Sequence, residues 1–220
     1  MFSCRSEPRW FPLTHPPFIP PFMRRPRFIL LTSVLLTAGL AGFWLLNTSR
    51  AATETPKHTV IRSQPPFEIR DYPALNLATS PMEADGIQGG FGALFGFITG
   101  KNQSGSKLAM TAPVLIDNTT QQKRMSFILP KGAAENGVPQ PLDASVQLGQ
   151  LPPDRYAVLR FEGGRSAQNE QNAIEKLRAW MEKQRLKGKG VPLLAYYDPP
   201  WTPVFLRRNE VLIRIEKPRE

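Results

Sequence analysis

From Phe67 onward, two hydrophobic periods divide the chain into strand, helix, strand, strand, and then the series repeats. Phe67-Glu68-Ile69-Arg70-Asp71-Tyr72 alternates apolar with polar positions, breaks at Pro73, and resumes over residues 74–79. Residues 83–99 predict a helix, with Phe91, Leu94, Phe95 and Ile98 at i, i+3, i+4 and i+7 as one apolar stripe. Gly89, Gly92 and Gly96 weaken that helix by up to about 1 kcal/mol each. They also give it a second, nearly smooth face, which lets a sheet or a flat ligand approach closely. A Gly/Ser/Asn turn follows at 101–107, then strands at 108–116 and 125–129 around a polar turn, then a Pro/Gly-rich connection at 131–144.

The second series begins with strands at 146–148 and 156–162. An amphipathic helix over 166–186 uses Ile174, Leu177 and Met181 and ends at Lys187-Gly188-Lys189-Gly190. Strands at 193–198 and 210–216 close the set. Each half carries a proline near the end of the strand after its helix, Pro113 and Pro199. The pattern is a duplicated β-α-β-β unit of the α+β class. Two such units can pair into one strongly curved antiparallel sheet with both helices on one side.

The N-terminal quarter follows different rules. Arg24, Arg25 and Arg27 precede residues 28–46, nineteen positions without a charge. That length nearly spans a hydrocarbon core of about 30 Å, and the cationic flank predicts a cytoplasmic N-terminus. Ser49-Arg50-Ala51 is a small-x-small pattern, so 24–51 reads either as a signal anchor or as a cleaved signal peptide. Both readings place the remaining domain on the periplasmic side. Residues 1–23 form a Pro-rich extension ending at Met23, a natural start, and we expect translation to begin there. Residues 52–66 read as a polar linker, and 67–217 as the domain.

Composition narrows the chemistry. Formal charge is +10, but 1–51 hold six of the 28 Lys/Arg and one of the 18 Asp/Glu, leaving an excess of +5 elsewhere. No basic stripe interleaved with stacking aromatics is present, which argues against nucleic acid as a partner. Cys4 is the only cysteine, so neither an intrachain disulfide nor a thiolate cluster can form. The two histidines are His15 and His58, and no nucleophile elbow, acid pair or phosphate loop is visible. The expectation is a protein that is not an enzyme.

Three ordered motifs carry a resemblance. Tyr197-Asp198-Pro199-Pro200-Trp201-Thr202-Pro203, followed by Phe205-Leu206-Arg207-Arg208-Asn209-Glu210-Val211, closely resembles the C-terminal signature of the SOUL family of haem-binding proteins. Lys107-Leu108-Ala109-Met110-Thr111-Ala112-Pro113-Val114 is similar to that family's Met-Thr-Ala-Pro-Val strand, and residues 91–100 to its first helix and turn. The resemblance covers about residues 59–217. It implies a distorted barrel flanked by two helices and a non-covalent tetrapyrrole ligand.

A tetrapyrrole slot needs apolar walls and cations for its propionates. The resemblance points to a slot between sheet and helices walled by Phe91, Leu94, Phe95, Ile98, Met110, Trp180 and Trp201. Trp201, on a proline-stiffened loop, is expected to anchor that loop to the core. Lys101, Lys107, Arg207 and Arg208 are the candidate propionate partners. His58 is the candidate iron ligand, with Met110 and Tyr72 as alternatives. The family's first helix commonly has basic or polar residues after its Phe, where this chain has Gly92-Ala93. Largely hydrophobic binding without strong axial coordination is therefore expected. The rival readings are a small-molecule sensor module and an envelope interaction protein without haem.

Overall fold

The computed structural model describes residues 53–82, 87–117, 122–135, 137–199 and 201–216. The N-terminal extension, the apolar run 28–46 and positions 83–86 of the expected helix lie outside them. The strands are β1 (Thr59–Gln64), β2 (Phe67–Tyr72), β3 (Leu75–Pro81), β4 (Val114–Asp117), β5 (Arg124–Ile128), β6 (Gln147–Leu151), β7 (Asp154–Phe161), β8 (Gly188–Tyr196) and β9 (Asn209–Ile215). All pair antiparallel in one open, curved sheet, in the order β1-β2-β7-β9-β8-β4-β5-β3-β6.

That order contains the duplication. The first half supplies β2-β3-α1-β4-β5, where α1 is Ile87–Ile98, and the second β6-β7-α3-β8-β9, where α3 is Ala167–Lys183. From the β4–β8 seam, where Leu115 pairs with Ala195, the strands run outward as β4-β5-β3-β6 and as β8-β9-β7-β2. The first strand of each half therefore pairs with the other half. Pro113 and Pro199 are not equivalent positions, because Pro113 precedes β4 whereas Pro199 follows β8.

One face of the sheet packs against α1 and α3, burying Leu94, Phe97, Ile98, Ile174, Leu177 and Met181 against Phe127, Leu159, Leu194 and Val211. Ser166 caps α3 by accepting the Asn169 N–H, and Ala173, Ile174, Leu177, Trp180 and Met181 form its buried stripe. At its far end Arg185 sits in the left-handed region at φ 56°. Leu186 N–H then donates to Met181 C=O, and Arg185 N–H to Glu182 C=O. This is the paired closure normally made with glycine.

Several expectations change. The linker 52–66 contains β1, whose six residues are all exposed. An edge strand with no buried face writes no alternation into the sequence. The strand expected at 108–116 begins only at Val114, after a cis Ala112–Pro113 bond. A short helix, α2 (Lys131–Glu135), joins the two long ones inside the Pro/Gly-rich connection. In α1 the buried positions are Gly90, Leu94, Gly96, Phe97 and Ile98, so Phe97 takes the core place expected for Phe95. Nearly every position of this helix is apolar or glycine, so periodicity could not select a face.

Candidate functional site

The space between sheet and helices was the expected slot, and it is filled. Leu94 and Ile98 are buried in that core, and Trp180 stacks on Phe67 at 4.9 Å with an interplanar angle of 2°. The Trp180 indole N–H donates to Gln64. These side chains are used in packing and leave no room for a macrocycle among them.

The smooth face of α1 does border open space. Gly89, Gly92 and Ala93 lie along a groove of about 420 Å³, whose other walls are Ser80, Pro81, Gln88, Lys101, Asp143 and Ser145. The volume falls within the roughly 300–1,000 Å³ of small-molecule sites. A Cβ placed on Gly92 would meet nothing within 4 Å, so internal packing does not require glycine there. Gly96 differs, because the Lys101 side chain lies across it, with Cδ 3.0 Å from where a Cβ would stand. Phe91 and Phe95 stack at 5.7 Å on the same helix, and Phe95 is 45% exposed.

Lys101 is positioned by a turn whose organiser the sequence reading missed. Gly100, at φ 116°, ends the helix, and Asn102 behind it is buried. The Asn102 amide donates to Phe97 C=O at 3.0 Å and Ser106 C=O at 2.8 Å, while its oxygen accepts from Ser104 and from the Ser106 N–H. Asn in a Gly/Ser turn was visible, but its burial under the helix end was not. Across the groove mouth, hydrogen bonds from Ser145 hold the Asp143 carboxyl below its ordinary pKa, and Lys101 adds to the effect.

The other cationic candidates are committed elsewhere. Arg207 donates from Nε to Thr202 C=O, and the Arg208 guanidinium lies 5.0 Å over Tyr197 and 3.9 Å from Asp198. Both brace the loop after β8. Trp201 on that loop is 81% exposed and does not anchor it, and Thr202 is the buried residue instead. Lys107 and Met110 are exposed on the segment between α1 and β4. Neither they nor Trp201 line the groove.

His58 stands near the face turned away from α1 and α3, its ring 5.0 Å from Tyr72. Burial and the neighbouring Arg70 both hold its pKa below the ordinary value. Arg70 itself makes a two-pronged, buried pair with Glu210, at 2.8 and 3.0 Å, and bonds Glu68 and Tyr72. Burial opposes the Glu210 charge, but Arg70 and the Tyr197 hydroxyl outweigh it and keep the carboxyl below its usual range.

The residues present fit a tetrapyrrole only in part. A floor of Gly89, Gly92 and Ala93 and the Lys101 cation suit a flat ring with an acidic edge, whereas Phe91 and Phe95 do not line the groove and Ser80, Gln88, Asp143 and Ser145 make its other walls polar. Among the described residues no histidine, cysteine, methionine or tyrosine lines the groove to reach an iron.

Comparison with known proteins agrees on the fold. The C-terminal domain of EcmrR superposes with a TM-score of 0.53 at 11% identity, covering 69% of this chain and 97% of that one. A hydrolase from Listeria innocua gives 0.52 at 10% identity, covering 71% and 94%. At such identities the likeness concerns architecture alone. No curated protein matches. The family profile described as SOUL heme-binding protein matches residues 53–214, spanning both β-α-β-β halves and the loops bearing the three motifs, and the chain belongs to that family.

Proposed function

We propose that this protein binds haem or a related tetrapyrrole non-covalently in the α1 groove, without catalysing a reaction. The carrying observation is Gly92. Glycine inside a helix costs about 1 kcal/mol relative to alanine, and the fold gains nothing in packing from it. A bare backbone is useful there to a flat ligand that must come close. Gly89 and Ala93 extend that floor, and Lys101 offers a propionate partner, shared with Asp143.

With no iron-ligating side chain on the groove among the described residues, binding is by packing and charge. His58, beside Tyr72 and Arg70, is no part of it. The domain is held outside the cytoplasmic membrane by residues 28–46, a role supported by their length and cationic flank. Among the described residues no helix is long and apolar enough to cross a membrane.

The test is a titration of the full-length protein with haem and with metal-free protoporphyrin. Comparable, saturable binding of the two is expected, and the His58→Ala variant should give the same spectra. Binding of haem alone, abolished by His58→Ala, would overturn this reading.

A further inference from the structure

We propose that the sheet face turned away from α1 and α3 holds a second ligand site, for a flat uncharged ring compound bearing a hydrogen-bond acceptor, and that residues 54–58 of this chain plug it until such a ligand displaces them. Leu75, Leu115, Ile128, Tyr156, Leu193 and Leu212, one from each of six strands, converge on an apolar cleft that Pro56 also lines. With Pro56 in place the free volume is about 20 Å³, room for a single water.

The plug is lightly held. It has no ladder of its own, only an isolated bridge from Glu54 to Thr111. The Glu54 carbonyl accepts the Ala112 N–H at 2.9 Å, and its carboxylate accepts the Lys131 N–H at 3.1 Å. The His58 ring leans on Tyr72. Residues 54, 55, 57 and 58 are exposed. Bonds of this kind contribute about 1 kcal/mol each, and exposed segments so held open far below the free energy of global unfolding.

The chemistry of the cleft selects the ligand class. The charges beside its tyrosines are paired among themselves, Arg70 with Glu210 next to Tyr72 and Asp154 with Lys189 and Arg214 next to Tyr156, so a charged guest would lose its solvation without gaining a free partner. Tyr156 is buried, and among the described residues its hydroxyl has no hydrogen-bond acceptor, since the neighbouring Arg214 guanidinium can only donate. A buried hydroxyl in that state is a donor awaiting an acceptor. Tyr72 meets Tyr156 edge-on at 5.7 Å, which supplies aromatic walls.

The probe is prodan, an uncharged naphthalene ketone, titrated into the full-length protein in detergent against a protein-free micelle blank. The double variant Pro56→Gly, His58→Ala should bind it about fivefold or more tighter than the native chain, because an occupied site lowers apparent affinity by the fraction of time it is free. Adding Leu193→Trp should abolish that gain, and Tyr156→Phe, which removes only the hydroxyl, should weaken binding severalfold. In the native chain, prodan should speed hydrogen exchange at the Ala112 and Lys131 amides, the two that bond to Glu54. Equal affinity with and without the plug substitutions would overturn the proposal. So would binding that survives Leu193→Trp but is lost in Gly92→Leu, since the probe would then be in the α1 groove. The two sites lie on opposite faces, so failure of the haem reading leaves this result interpretable.

Discussion

The Arg70–Glu210 pair sets the chain's response to acid. The carboxyl of Glu210 titrates lower in the folded protein than in the unfolded chain, where its pKa is about 4.3. Its stabilisation is therefore fully present above that value and is lost as pH falls through the folded value. Thermal unfolding should be insensitive to pH between about 8 and 5 through this pair, and should drop steeply below about 4. Glu210→Gln, which leaves Arg70 buried without its counter-charge, should cost roughly 3–5 kcal/mol and flatten the acid limb. Arg185 points the other way. It occupies the left-handed position that glycine fills without steric penalty, so Arg185→Gly should raise stability by about 1 kcal/mol in denaturant titration. Single residues were the least legible part of the sequence. Glu210 looked like one polar position in an alternating strand, and only the sheet order brings it to Arg70, 140 positions earlier. Trp201 looked like an anchor because large aromatics usually are, yet its ring stands in solvent and Thr202 is buried in its place.

Helix α3 was legible because one face is wet and the other dry. Strands β2, β7 and β9 lie within a few residues of their expected places because their sequences alternate or run apolar, although β9 is buried at six of its seven positions. Elements without such a pattern were missed or misplaced. The edge strand β1 has two wet faces, and α1 has apolar residues all round, so Leu94 and Ile98 were placed in the core correctly but Phe95 was expected where Phe97 stands. Trp180 closes the core between α3 and β2, and Trp180→Ala should cost roughly 3–5 kcal/mol in equilibrium unfolding. Helix α1 carries the sharper prediction. Gly92→Leu places a side chain into open groove while supplying a better helix former, so it should raise stability by up to about 1 kcal/mol as it blocks the ligand.

The whole molecule is a twofold repeat in which each half lends its first strand to the other. The repeat itself was visible in the order of elements, and the exchange was not, because β2–β7 and β6–β3 pairings join residues some 70–90 positions apart. The same exchange determines where free space lies. Helices on one face make that layer a solid core, so the slot expected there moves to the outer side of α1, and the opposite face becomes a cleft under the N-terminal segment. The most direct test is a Soret titration comparing the native chain with Gly92→Leu and Lys101→Glu. A loss of haem affinity of about tenfold or more in Gly92→Leu (a factor worth about 1.4 kcal/mol), with a smaller loss in Lys101→Glu, is the predicted result. Native affinity in a Gly92→Leu protein that is folded and at least as stable would contradict the groove as the binding site.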